Sequence, residues 1–583
     1  MADVFGAPAQ YANDPSTIPS GVPEELRLDM GDADILRIVQ QKEAEAREYN
    51  SMLLKRNQDN EAYWKGDQLN TTTQYAWRDQ TVQNHVFMAT ETVVPIVISE
   101  NPEVAVFPAQ QTPEAEKIAD KLQKMCRYHW DRLFMQDKMA VFARHLVIYR
   151  FAVIKFFWDY LKDDIGTIIV NPKQIKLDPA ATGPEDARYL FHEYEVDRDE
   201  LTRRYPDKAA ELPTGTVDNN GTVPDDKQQL KSVVRVTEFW SPEYTCTYVG
   251  STVLEKKRNP FYDWVGEAPN EGLVGEGEGA AERAFYNYWD APRMPFVVRT
   301  VFTTGDHLAG DTTLLEQARP MQDSINERKR QIETNAKITA NGWTLVDSSV
   351  MSQEDARRIT NEPGLTIVGP GVAEQGKLRR ESGSPLPAFV MEDLMHSQAA
   401  FDNLFGTHGT TRGERGAQET ATGRAILRQA DLGRIELIVR VMESAITELS
   451  RGWVQCMRLF YTEQHAVKLL GREGGYEYLT LSRDEIEDGI EVMVKAGSLM
   501  PQDKVGFRNE AIELWQMGAI DPVTFFERLN YPNPKDTAER LVLWKQGLLE
   551  GMPVPQPGPQ TLPGGEPIPP EVQEQLAAAQ QAA

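Results

Sequence analysis

Positive charge is what this sequence is short of. Its 583 residues carry 62 Lys+Arg against 88 Asp+Glu, a formal net charge of −26. A protein that reads duplex sequence presents a basic face, so that class is excluded. A protein that nucleic acid merely passes through is not. Cysteine is scarce too: Cys126, Cys246 and Cys456 stand far apart. They offer neither a disulfide framework nor a metal-ligand spacing, and each is expected to be a buried thiol in a reducing cytoplasm. Long apolar runs are missing. The most apolar stretch, residues 145–158, is broken by Arg150 and Lys155 and falls short of the ~18 unbroken apolar residues of a membrane span. The opening residues lack the basic and apolar regions of a secretory signal. The expectation is a soluble cytoplasmic product with no membrane partner.

Catalytic constellations are lacking as well. Residues 371–377 run Gly-Val-Ala-Glu-Gln-Gly-Lys, the first seven positions of a phosphate-binding loop. The next position needs a Ser or Thr hydroxyl to hold Mg²⁺, and here it is Leu378. Nor do the residues after it open the helix that would cradle phosphate. The eight histidines are scattered, without the one-turn spacing of a zinc helix or a nucleophile elbow. His145 and His192 sit among apolar neighbours and read as packed side chains. No catalytic residue, cofactor or metal site is assigned.

What is present is core-forming material. Hydrophobic residues make up 40% and charged residues 26%, enough for a chain of several lobes. Residues 1–31, rich in Pro, Ala, Asp and Gly, read as a flexible arm. Helical periodicity covers 32–58 and is closed by Gly66. It returns before the turn at Asn101 and Pro102 and again over 113–147. Residues 151–158 and 166–170 read as strands, and 233–240, 244–248 and 251–254 alternate with short spacers, as a meander does. A Gly/Glu-rich insert lies around 266–279.

From Asp311 the pattern changes. Met321, Ile325, Arg328, Ile332, Asn335 and Thr339 step by four and three, a half-polar seam on a helix of ~32 Å. Pro320 is expected at its first turn or at a kink against 312–319. Strands are expected at 343–346 and 365–368, with a short helix opened by Ser352 between them. A second helix follows from Pro387, with Val390, Leu394, Ser397, Phe401 and Leu404 on one stripe. Residues 406–418 hold four glycines and almost no apolar side chain, so they read as a flexible loop. His408, Thr410, Thr411, Arg412 and Arg415 on it are candidates for transient contact with a polyanion. A helix of ~68 Å is then expected over 419–463. Its apolar face from Leu432 to Phe460, widened by Ile438, Val441 and Ala445, is broader than a coiled-coil seam and broader than one chain's neighbours need. Strands at 478–481 and 490–494 and helices over 502–518, 521–529 and 535–549 follow. The tail from 551 has eight prolines in its first twenty residues and reads as disordered.

The order of these segments resembles the tailed-bacteriophage portal family. The pieces that carry the likeness are Trp64-Lys-Gly66, residues 84–102, residues 172–179 with 187–189, residues 295–297, Asp323-Ser-Ile-Asn326, Asn341-Gly342, and residues 496–498 with Met500 and Pro501. At its centre is the succession of helix, small module, helix, glycine loop and long helix. The resemblance implies an α+β subunit of a ring, of twelve copies in the family's usual form, at the capsid vertex of a virion made in the bacterial cytoplasm. By position it implies a wing at 32–310, completed by the long helix at 419–466, and stem helices at 311–341 and 386–405. It puts a clip at 342–385, a tunnel loop at 406–418, a β segment at 467–498 and a helical crown at 499–550, before the tail at 551–583. It implies double-stranded DNA passing through, and docking of the terminase large subunit and then of head-completion adaptor and tail proteins. Arg357 and Arg358 of the clip are the docking candidates. Capsid or scaffolding protein would surround the ring. A packaging ATPase or nuclease would need the intact loop and an acidic metal cluster. A ring adaptor or scaffold is usually much shorter and leaves the long helix unexplained.

Overall fold

The computed structural model describes residues 30–69, 80–99, 101–102, 104–108, 110–160, 162–213, 233–261, 293–340, 343–346, 352, 354, 378–381, 384–406, 421–461, 465–470, 476–481, 485–486, 490–494, 504–529, 531 and 534–545. These fall into two compact units. One runs up to Leu469 and takes in Tyr478–Met500; the other comprises Leu470–Glu477 and the residues from Pro501 on.

The first unit opens with α1 (Asp32–Glu45) and α2 (Arg47–Lys65). The helix expected over 32–58 is thus two, parted at Ala46. Gly66 closes α2 in the left-handed region at φ 92°, where glycine carries no Cβ penalty. Next come α3 (His85–Val97), β1 (Val104–Phe107), α4 (Pro113–Arg132) and α5 (Met135–Ile148). Asn84 and Thr112 cap α3 and α4 through their side-chain oxygens, satisfying amides that a helix start leaves open. The stretch expected over 113–147 is interrupted by Phe134, at φ 51°.

Strands β2 (Ala152–Asp159), β3 (Asp164–Val170), β4 (Ile175–Leu177) and β5 (Leu190–Asp197) follow. After α6 (Arg198–Arg204) come β6 (Val233–Trp240), β7 (Tyr244–Val249), β8 (Thr252–Arg258) and β9 (Phe296–Arg299). β3, β2 and β9 form one antiparallel sheet, and β4 to β8 lie in sequence order in another. The second is the expected meander. α1 covers part of it: Ile35, Leu36 and Val39 pack with Tyr189, Phe191, Phe239 and Cys246.

Then come α7 (Leu314–Ala340), β10 (Trp343–Val346), β11 (Leu378–Glu381), α8 (Ala388–Phe405) and α9 (Ala421–Phe460). β12 (His465–Leu470) pairs with β13 (Tyr476–Leu481). β14 (Glu491–Val494) returns to pair antiparallel with β1, Val104 facing Val494 and Phe107 facing Glu491. Helices with several small sheets make up the mixed α and β class that was expected. Pro320 lies inside α7, beyond its first turn and at the position of the second of the two expected placements. The helix starts earlier because the Thr313 hydroxyl accepts from the Glu316 amide at 3.0 Å, a cap that the reading from Met321 overlooked.

The largest core forms around α9. Ile435, Ile438, Val439, Met442, Ala445, Ile446, Leu449, Trp453, Cys456 and Met457 are all buried by the chain's own elements. The wide face is therefore no surplus in this stretch, contrary to expectation; α3, α4, α5, β2 and β14 fill it. At Gly452 the helix meets the sheet so closely that a Cβ would stand 2.7 Å from the Phe156 ring. The three cysteines are buried free thiols. Burial pushes Cys126 and Cys246 up to about 12, so they stay neutral.

Both charges that interrupt the apolar stretch at 145–158 are paired. Arg150 forks onto Glu316 at 2.8–3.2 Å. Lys155, buried on β2, reaches Glu238 of β6 at 2.5 Å and joins the two larger sheets. Glu238 also accepts from Tyr194 and Trp240 at 2.7 and 2.8 Å. Burial alone would raise its pKa, but Lys155 and His192 outweigh that and hold it well below the carboxylate range. Replacing Glu238 with Gln leaves Lys155 buried without a counter-charge and should cost about 3–5 kcal/mol, read as a lower urea midpoint.

His145 and His192 are buried, as expected. Burial, against the pull of Glu61, lowers His145 from 6.5 to about 4. Between these values the unfolded chain binds more protons, so stability falls as pH drops from 6.5 to 4, by about 3 kcal/mol for this group. A His145→Gln variant should lose that part of the slope in denaturant midpoints taken across the window; an unchanged slope would refute the assignment.

Candidate functional site: a helical hairpin and its anchor

α7 and α8 pack side by side. Ser324 meets Ser397 at 3.3 Å, Arg328 meets Asp393 at 2.6 Å, and the Asn335 amide donates to the Ser384 carbonyl at 3.0 Å. Numbers rise on one helix as they fall on the other, so the pair is antiparallel. The seam is the half-polar one expected: Ile325 faces in from α7, with Val390, Leu394 and Phe401 buried on α8. On α8, Phe389 is exposed at 64% on one flank of this stripe, and Met391 and Met395, one turn apart, are exposed on the other, Met395 at 60%.

At one end of the hairpin, β10 and β11 pair antiparallel, from Trp343 opposite Glu381 to Val346 opposite Leu378. This ribbon is the neck of the segment 342–385. β11 was not read as a strand. The strand expected at 365–368, the glycine–lysine match at 371–377 and the docking candidates Arg357 and Arg358 lie outside the described residues. At the other end Phe401 stacks on Phe405 at 5.1 Å and Phe401 meets the His85 ring at 5.8 Å. α8 then closes at Gly406, φ 68°. The loop candidates His408, Thr410, Thr411, Arg412 and Arg415, which join α8 to α9, are outside the described residues. So are the insert at 266–279, the tail and residues 496–501.

Four carboxamides fix the hairpin to the rest of the unit. Gln322 and Asn326, one turn apart on α7, are buried. The Gln322 oxygen accepts from the His85 and Val86 amides at 3.0 and 3.3 Å, at the start of α3. Its nitrogen donates to the Gln83 carbonyl and to Asn326. Asn326 accepts from the Gln83 amide and donates to Gln68 at 2.6 Å. Gln68 donates to the Tyr63 carbonyl and to Asn84, and Asn84 donates to the Trp64 carbonyl while capping α3. Every carboxamide here is satisfied, the condition under which a buried polar network adds rigidity. Further along α7 toward its start, Glu316 takes the Arg150 fork and an amide from Asn60.

α9 is held at its far end by polar contacts too. Trp453 donates to the Thr167 hydroxyl at 2.9 Å, and the Tyr461 hydroxyl lies 3.1 Å from His129. Arg299 pairs with Glu448. A cavity of about 220 Å³ where α3, α7, α8 and α9 meet is lined by Val93, Leu314, Phe405 and Ile438 among others. None of its lining groups titrates, so it offers no acid–base chemistry. Among the described residues no group of three or more His, Cys, Asp or Glu is placed to hold a metal, and no helix is long and apolar enough to cross a membrane.

The pieces that carried the resemblance meet in these contacts. Trp64, Asn84 and Asn326 belong to the carboxamide network. Residues 172–179 and 187–189 are joined by Arg188, which forks onto Asp178 at 2.7 Å on both oxygens. Residues 296 and 297 lie in β9. Gln68 and Gln322 were not singled out. The signal available was a buried-face position filled by Gln one turn before Asn326.

The family described as phage P22-like portal protein matches residues 39–272 and 292–583. The chain belongs to the phage portal protein family, whose members are structural components of the capsid vertex. The unmatched stretch between the two blocks overlaps the Gly/Glu-rich insert. No curated protein matches the chain.

Replacing Gln322 with Leu keeps the volume but removes the Gln322 bond to the Val86 amide and one bond each from Asn326, the His85 amide and the Gln83 carbonyl, the last two keeping only each other at 3.0 Å. A loss of about 3 kcal/mol is expected, measured by denaturant unfolding. A loss below about 1 kcal/mol would mean that other groups take over those bonds.

Proposed function

We propose that this chain forms the closed ring at the capsid vertex through which double-stranded DNA is packaged and later leaves. The observation that carries the reading is the family match across nearly the whole chain. The exposed Met391 and Met395, one turn apart on α8, support it, since a subunit in a ring presents apolar side chains to its neighbour. In this reading α7 and α8 are the stem, 342–385 is the clip, 406–418 is the tunnel loop and the helices after 499 are the crown. Twelve copies is the expected number. The ring is a platform, not an enzyme: the clip, with Arg357 and Arg358, receives the terminase large subunit and afterwards the head-completion adaptor and tail proteins, while capsid or scaffolding protein surrounds the wing.

Charge fits the task. A channel that neutralised many phosphates would retain DNA strongly and with a steep salt dependence. A subunit of net charge −26 disfavours that, while a few arginines on loops can still touch the duplex through contacts that salt screens. His408, Thr410, Thr411, Arg412 and Arg415 are assigned that contact.

Native mass measurement of the purified chain should give one large closed ring, and monomers alone across several salt concentrations would refute the reading. Arg412→Ala combined with Arg415→Ala should leave rings intact and lower the yield of filled heads. Crosslinking from position 412 should reach packaged DNA; its failure, with a working control elsewhere in the channel, would remove the loop from the contact.

A further inference from the structure

Nothing in the ring reading uses the cavity of about 220 Å³ where α3, α7, α8 and α9 meet. The buried part of its wall is Val93 of α3, Phe405 of α8, and Ile435 and Ile438 of α9. Phe302, Leu314 and Leu404, all half-buried, complete it. Among the described lining residues two are aromatic and none has a polar side-chain atom.

Side chains that face a void forfeit dispersion contacts, so a wall free to move would close in. This wall is held open. Val93, Ile435 and Ile438 are β-branched residues within helices, where one χ1 rotamer dominates. Phe405 is stacked on Phe401 at 5.1 Å, and Phe401 meets the His85 ring at 5.8 Å. The Phe302 carbonyl accepts from the Asp311 amide at 2.9 Å, in a bridge of Phe302 with Thr312. α7 is fixed by the Gln322 bonds and α9 by the core around it. The cavity is therefore preformed, as ligand sites usually are.

The wall also selects its occupant. A buried water needs two to four polar partners, and the described side chains of the wall offer none. Apolar cavities stay dry, and one of about 150 Å³ lined by Leu, Ile and Phe takes benzene. The present one, at about 220 Å³, has room for a ring with a short alkyl group. A hydroxyl on that ring would give up its hydrogen bonds to water and gain no side-chain partner in return.

We infer that this cavity binds one small apolar aromatic molecule, of toluene or ethylbenzene size, and that the occupant ties the end of α8 to α3, α9 and the start of α7. Leu314 is the first residue of α7, and Leu404 and Phe405 are the last of α8. One ligand thus touches both helices of the hairpin at the same end. The site lies within one chain, so it stands apart from the ring reading.

Fluorobenzene is the probe. Its fluorine NMR line should broaden on addition of the full chain, saturate at one molecule per chain, and sharpen again with excess toluene. 4-Fluorophenol should bind at least about tenfold more weakly. Ile438→Phe fills the cavity from a buried position and Leu404→Trp from a half-buried one, and each should weaken fluorobenzene binding at least about tenfold. The second variant keeps the test open if the first impairs folding. Saturating toluene should slow hydrogen exchange of the 401–406 amides at least about threefold and leave β6–β8 unchanged. Absence of saturable binding to the folded wild-type chain would overturn the proposal, a side chain then occupying the space. Undiminished binding to the folded variants would overturn it too, by placing the probe elsewhere, as would equal affinity for the phenol. Unchanged exchange at 401–406 with toluene bound would remove the tie to α8.

Discussion

Everything in the first unit leans on the burial of one helix. α9 is 40 residues long, far beyond the usual three or four turns. Long helices curve gently around the core they pack on. Here α3, α4, α5, β2 and β14 each contribute side chains to its covered side, and Gly452 allows the sheet to approach at van der Waals contact. α3 and α5, which pack on the spine, in turn hold α7, and α3 holds α8. The hairpin is clamped where α7 passes α3, through carboxamides that bond backbone groups and leave none unpaired. Apolar packing sets the position of the spine; directional hydrogen bonds set the rotation of the hairpin about it.

Legibility in the sequence follows the range of the interaction that decides each element. Periodicity is local, and it sufficed for α9, α8, the meander β6–β8 and the three helices of the second unit, Lys504–Gln516, Pro522–Arg528 and Pro534–Lys545. Glycine at 66 and 406 announced helix ends for a reason confined to one residue, the tolerance of positive φ. What escaped notice depends on a partner far along the chain. β1 has only four residues and pairs with β14. β11 pairs with β10 across the stretch 347–377. Lys155 and Arg150 read as mere interruptions of an apolar stretch, because Glu238 and Glu316 lie too distant in sequence to be matched to them. The one wrong expectation about α9, that its apolar face was too wide for one chain, came from counting the face without knowing how many elements would cover it.

The candidate site divides in the same way. The seam of the hairpin was legible as a half-polar stripe, and Arg328 on it finds Asp393. The anchor was not, since Gln322 and Gln68 are unremarkable until α2, α3 and α7 are brought together. The fragments that resembled the portal family proved to be contact points of this kind: Asn84 with Trp64, Asn326 with Gln68, Arg188 with Asp178.

The pairing of β1 with β14 has a consequence for how the chain is made. Roughly four hundred residues separate the two strands, and at about 5–20 residues per second a ribosome needs about 20–80 s to cross that interval. Throughout it Val104–Phe107 has no partner strand, and Phe107 stays open to solvent even afterwards, at 49%. Closing so long a loop costs little more entropy than closing one half its length, so delay, and not thermodynamics, is the burden. A nascent chain of this protein therefore passes most of its synthesis with an unfinished sheet edge, in a cell filling with identical chains at the same stage.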